Sequence, residues 1–167
     1  FNIDNKTQIK TVVPGMVLTI DKEAGSKTKF YKPERFFAPA SAHTIIKPKN
    51  NCKACHLNPI TYGYGEGKLI YQTENTKAKV SFIASYETLY DNLPADAWIG
   101  FLMTRTERVA TRDYIRPFNV QEQQKILTVG ACLNCHAEDS KVMLKSLIDY
   151  RALYEARTAA CVLPFSK

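Results

Sequence analysis

Cys52-Lys53-Ala54-Cys55-His56 and Cys132-Leu133-Asn134-Cys135-His136 each set two thiols three positions apart, with an imidazole directly after the second. Thiols at this spacing can bind a metal, exchange disulfides, or add to the two vinyl groups on one edge of a porphyrin. The histidine distinguishes these chemistries. One turn of chain presents both sulfurs to the porphyrin edge, and the next residue carries an imidazole under the iron. That is the attachment signature of a c-type haem. The motif recurs intact in a chain with only five cysteines and three histidines.

Two other chemistries fit less of the pattern. Paired thiols also form the tetrahedral sets of structural zinc sites, but zinc needs no histidine directly after each pair. The pairs here start 80 positions apart, at 52 and 132, whereas zinc knuckles are usually separated by roughly 15–20 residues. A thioredoxin-like redox motif would sit beside a βαβ pattern, and neither pair has one nearby. The expectation is two covalent haems, held by Cys52 and Cys55 and by Cys132 and Cys135, with His56 and His136 as proximal iron ligands.

Each iron has a second axial position. His43 is the only histidine outside the motifs, and imidazole is a common sixth ligand. The nine steps from His43 to Cys52 extend to about 30 Å, enough to pass round a porphyrin edge or to reach a neighbouring haem. Three histidines cannot supply two bis-histidine irons. A thioether, another chain or an open position must complete the set. Met103 ranks first among the methionines and Met16 second, while Met143 lies too close behind His136 to reach the opposite face.

The rest of the composition limits the function classes. Hydrophobic content of 45% and charged content of 23% describe a folded chain. No apolar run approaches the roughly 20 residues that cross a bilayer. The chain opens on Phe1 and carries no signal peptide, so processing or excision from a longer chain is expected. The net charge of +7 comes from scattered lysines and arginines. Without a dense basic run, a nucleic-acid partner is not expected. Haem propionates would offset part of that charge, and Lys47, Lys49 and Lys53 stand where they could pair with propionates or steer an acidic redox partner. Cys161 is the odd thiol, read as a small buried residue or as one half of a disulfide.

The elements that must position these residues are short. Residues 9–20 are β-branched around Pro14-Gly15 and predict two extended segments. From Phe30 to Pro48 the chain is aromatic and proline-punctuated, predicting irregular structure with Phe36-Phe37 as its packing element. Asn58-Pro59 stops any helix after the first motif. Tyr62-Gly63-Tyr64-Gly65-Glu66-Gly67 predicts close approach of backbone and tyrosine rings to a flat cofactor. Residues 68–73 and 78–85 predict a hairpin turning at Asn75-Thr76-Lys77. Residues 94–99 predict a short helix or a strand. Asn119 and Glu122 form a capping box that opens a helix expected to stop at Gly130, with Ile126, Leu127 and Val129 facing the second motif. Asp139 or Ser140 should cap a longer helix to about Ala160, burying Met143, Leu144, Leu147, Ile148 and Leu153.

Beyond the motifs, the chain resembles c-type multihaem cytochromes, in particular the C-terminal two-haem part of large periplasmic ones. The resemblance runs through Phe37-Ala38-Pro39 with His43-Thr44, then Cys52 to Pro59 and the Gly63–Gly67 loop. It continues through Arg116-Pro117-Phe118-Asn119 and Ile126 to His136. It implies a periplasmic or extracellular location, haem attachment there, and His43 as an iron ligand, including to a haem held by another segment. The fold expected is mostly irregular, with short β hairpins in the N-terminal half and α-helices in the C-terminal part, wrapped around two haems. Residues 1–167 would form a single dihaem domain, with 1–115 as the first-haem lobe and 116–167 as the helical second-haem lobe. The expected function is single-electron transfer between redox partner proteins or neighbouring haems, with the chain a fragment or subunit of a larger multihaem assembly or a reduced relative of those longer proteins. The alternatives are a redox enzyme at a five-coordinate haem and a haem-bearing structural subunit of a respiratory or photosynthetic complex or filament.

Overall fold

The computed structural model describes residues 15–20, 34–39, 51–87, 91–104 and 116–165. Its architecture is mixed, with two small antiparallel sheets, short helices and much irregular chain between them. Strand β1 (Gly15–Ile20) pairs with β2 (Glu34–Pro39), from Gly15 opposite Pro39 to Ile20 opposite Glu34. The first of these strands lies where extended chain was expected, while residues 9–14 lie outside the described residues. The second corrects the irregular reading of that stretch. Its backbone finds partners in β1, and Pro39 is tolerated because it ends the strand.

Arg35 and Phe37, two apart on β2 and so on one face, are both buried. Phe37 stacks on Trp98 with ring centroids 4.1 Å apart. The Arg35 guanidinium grips Asp91 with two 2.7 Å bonds and donates to the carbonyls of Pro94 (2.6 Å) and Ala97 (2.8 Å). Residues 94–99 are therefore neither helix nor strand. They form a turn closed by Ala97 N–H on the Pro94 carbonyl. The Trp98 and Ile99 amides then both donate to the Gly63 carbonyl, at 2.7 and 2.9 Å.

The predicted hairpin is present as β3 (Gly67–Glu74), longer than expected by one residue at each end, and β4 (Lys77–Ala84), shifted by one residue from the expected bounds. Its turn is Asn75-Thr76, and Asn75 takes a φ of +49°, which asparagine tolerates better than most residues. The central core joins Tyr62, Tyr64, Val80, Ile99 and Leu127, with Tyr71, Phe82, Phe101 and Ile126 packed against it.

Helix α2 (Val120–Cys135) opens on the predicted capping box. Asn119 Oδ1 accepts from Glu122 N–H, and the Glu122 carboxylate accepts from Asn119 N–H, both at 2.9 Å. It does not stop at Gly130 but continues through the second motif. Gly130 is buried against neighbouring chain inside the helix, so its missing side chain serves packing rather than termination. Leu127 points into the central core, not towards the second motif.

The single long C-terminal helix is also corrected. Two short helices take its place, α3 (Lys141–Ser146), capped by Ser140, and α4 (Tyr150–Glu155), capped by Asp149. The Asp149 side chain accepts from Ala152 N–H at 2.9 Å and restarts the helix, so the break falls at 147–149. Of the predicted stripe only Met143 is buried, while Leu147 and Ile148 are 79% and 87% exposed. Among the described residues no helix is long and apolar enough to cross a membrane.

Candidate functional site

The first motif is a one-turn helix, α1 (Cys52–His56), started by Asn51, whose side chain accepts from Ala54 N–H at 2.8 Å. Asn58 and Pro59 then redirect the chain into a turn of 3-10 helix, Pro59–Tyr62. Two side chains of that turn reach back to the motif. Thr61 Oγ1 donates to the Cys55 carbonyl and Tyr62 Oη to the His56 carbonyl, each at 2.6 Å. The helix ends here, and the Cys55 carbonyl keeps a long 3.4 Å bond from Asn58 N–H, so these bonds also answer a backbone need.

Cys52 and Cys55 lie on one side of the turn, three residues apart. Cys52 is exposed and Cys55 half-buried, and neither is in a disulfide. Nδ1 of the His56 ring is buried and makes no well-aligned hydrogen bond. Burial lowers the His56 pKa, and the nearby Ile126 carbonyl partly opposes the shift. Burial thus favours the neutral imidazole, the form that can bind a metal.

The second motif is the last turn of α2. Leu133 is fully buried and anchors it, leaving Cys132 half-buried and Cys135 exposed. His136 is the C-cap, with φ −113° and ψ 142°, so its backbone leaves the helix while its N–H donates to the Cys132 carbonyl at 2.8 Å. The Cys132 thiol is pushed up chiefly by burial and then by the nearby Cys161 and Cys135 thiols. Tyr150, beside Cys132 and Cys161, is pushed up to about 12, mainly by burial. Cys161 is half-buried and free, so the odd thiol lies near the second motif without a disulfide.

The structure brings the two motifs together. Helix α1 packs on α2, and a Cβ at Gly130 would lie 2.9 Å from the His56 carbonyl oxygen and collide with the Tyr71 hydroxyl. At the other end of α1, Cys52 N–H donates to Glu138 Oε2 at 3.1 Å, across 86 residues of sequence. Gly130 and Glu138 were not foreseen as site residues, and Tyr62 was expected to lay its ring on a cofactor rather than to bond the backbone of the motif. Glu138 follows its motif by two positions, but nothing local marks it as a partner for Cys52.

His43 lies outside the described residues, as do Lys47 and Lys49, while Lys53 is exposed on α1. Met103 is 57% exposed and follows Leu102, which holds a φ of +52° that a bulky residue rarely adopts. The Met103 carbonyl accepts from Gln123 Nε2 at 3.0 Å. Met143 is buried in α3, and Met16 lies in β1. Tyr62 and Tyr64 do not offer their rings to an open face. They stack on each other at 5.3 Å inside the core, and the glycines between and after them approach Trp98, Pro94 and Phe82 instead.

Among the described residues no group of three or more His, Cys, Asp or Glu side chains converges as a closed set of metal ligands. A porphyrin brings its own nitrogen donors and asks the chain only for thiols and an axial ligand, which both motifs have at hand. The residues present therefore fit a covalent haem at each motif. No family model, curated protein or solved structure matches the chain.

Proposed function

We propose that this chain is an electron-transfer protein carrying two covalently attached c-type haems. Its single strongest support is the recurrence of two thiols and a histidine on two helical turns that pack against each other. Cys52 with Cys55 and Cys132 with Cys135 hold the porphyrins through thioethers, and His56 and His136 supply the proximal imidazoles. When bound, haem contributes a one-electron iron couple.

The chain's own residues govern how that couple is presented. Burial of His56 favours its neutral imidazole, the form an iron would bind. Asn51, Thr61 and Tyr62 hold the backbone of α1 from which the ring projects. Leu133 anchors the second motif in the same sense. His43 and Met103 are the further residues that would donate to the irons. Redox partner proteins or other haem subunits, met outside the cytoplasmic membrane, would exchange the electrons.

The test is intact mass and a pyridine haemochrome spectrum of the full chain matured in a cytochrome c-competent host. The expected result is two covalent haems, falling to one when Cys52 and Cys55, or Cys132 and Cys135, are replaced together by Ser. A colourless chain with free thiols at both motifs would overturn the reading.

A further inference from the structure

We infer that Gly130 and Glu138 are positioning residues that fix the orientation of the two cofactor-attachment motifs relative to each other, and so set the electronic coupling between the two haems. The inference rests on the two-haem reading and adds to it which groups lock the pair. Two observations at opposite ends of α1 carry it. At the C-terminal end the absence of a side chain at Gly130 lets the His56 carbonyl, the peptide next to the proximal imidazole, sit against α2 two residues before Cys132. At the N-terminal end Glu138, two residues beyond His136, accepts from Cys52 N–H at 3.1 Å. One contact sets how closely the helices approach, and the other sets the rotation of α1 about that point.

The chemistry of each contact suits its role. Backbone against backbone leaves no rotamer to adjust, so the approach at Gly130 has a single spacing. Room for a Cβ there would require the Tyr71 hydroxyl and the His56 peptide to move together. The Glu138 carboxylate meets an N–H from the first turn of α1, a donor with no helical partner of its own. The charged acceptor strengthens that bond. Because each contact joins segments more than 70 residues apart, neither is needed to form α1 or α2 locally.

The experiment uses the full matured chain with the variants G130A, E138A and E138Q, reading haem content by mass, Soret-region circular dichroism and amide exchange at Cys52. The wild type should carry two haems and show a bisignate Soret couplet from their coupling. In E138A, at unchanged haem content, the couplet should change in amplitude or sign. The Cys52 amide should exchange roughly 5–10-fold faster, as loss of one such hydrogen bond implies. E138Q keeps an acceptor oxygen and should restore both signals. G130A should alter the couplet without releasing the Cys52 amide. Two haems with a couplet and Cys52 exchange unchanged in E138A, and a couplet unchanged in G130A, would overturn the inference and leave the electron-carrier reading standing. Absence of covalent haem from the wild type would overturn both. Glu138 is half-exposed, so E138A keeps the test decisive even where G130A fails to fold.

Discussion

Tyr62 Oη donates a 2.6 Å hydrogen bond to the carbonyl of His56, from a ring that is itself enclosed in the central core. The two residues link what holds the protein together to what would hold its cofactor. Burial raises the Tyr62 pKa well above its ordinary value, and the nearby Tyr71 and Tyr64 raise it further. The hydroxyl therefore stays protonated and remains a donor throughout the working pH range. The His56 carbonyl accepts it at the point where α1 has run out of helical donors.

Tyr62→Phe keeps the ring stack with Tyr64 and removes only that donor. The loss should cost about 1–2 kcal/mol, since it leaves the His56 carbonyl without its tyrosine partner. Denaturant unfolding gives that figure directly. If the first motif depends on this bond for its orientation, the haem bound there should also shift in midpoint potential while the other keeps its value. Unfolding at the wild-type midpoint would show that water replaces the hydroxyl without loss.

Arg35 makes the sharper stability prediction. Its side chain is 4% exposed, and Asp91, which it grips with two bonds, is 31% exposed. Arg35→Met removes those bonds together with the donors to Pro94 and Ala97, leaving carbonyls and a carboxylate short of partners. Breaking such a pair from one side typically costs about 3–5 kcal/mol. Trp98 is the chain's only tryptophan and stacks on Phe37, two residues along the same strand. Its fluorescence should report the loosening of β2 during unfolding. Arg35→Lys should recover little, because an ammonium cannot reach two carbonyls and a carboxylate in one plane.

What could be read from the sequence was what local chemistry decides. The two motifs, the stop at Asn58-Pro59, the hairpin at Asn75-Thr76 and the capping box of Asn119 and Glu122 depend on residues within a few positions of each other. Contacts that depend on distant chain were missed. Gly130 resembles a helix stop until the His56 carbonyl and Tyr71 are seen against it. Tyr62 and Tyr64 resemble a cofactor face until Phe82, Phe101 and Leu127 close over them. Glu34–Pro39 lacks strand periodicity, and the partner that makes it a strand lies across a gap in sequence. The bond from Cys52 to Glu138 spans 86 residues and leaves no local trace.

The break between α3 and α4 predicts how apolar residues there respond to substitution. A continuous amphipathic helix would bury Leu147 and Ile148, and replacing either with Ser would cost several kcal/mol. Exposed as they are, Leu147→Ser and Ile148→Ser should each change stability by no more than about 0.5 kcal/mol. Asp149→Ala removes the cap that restarts the chain into α4 and should cost about 1 kcal/mol. Thermal unfolding of the three variants separates the cases. A larger loss at Leu147 than at Asp149 would restore the continuous helix.

The capping box of α2 carries a pH dependence with a definite sign. The Arg116 guanidinium bonds to both Glu122 oxygens, at 2.7 and 2.8 Å, and holds the carboxyl below its ordinary value of 4.5, despite some opposing desolvation. The unfolded chain therefore takes up this proton at a higher pH than the folded chain does. The stabilisation is fully present above about pH 4.5 and is lost as pH falls through the depressed folded value. Because Arg116 is largely exposed, solvent screening holds the contribution to roughly 0.2–1 kcal/mol. Glu122→Gln keeps an acceptor for the Asn119 N–H but removes the titrating charge. Compared with the wild type by urea unfolding from pH 7 down to pH 3, it should be slightly less stable at neutral pH and should lose less on acidification. Parallel curves would mean that Arg116 and Glu122 meet without contributing to stability. Asn119→Ala should cost about 1 kcal/mol at every pH, because its side-chain oxygen caps Glu122 N–H without titrating.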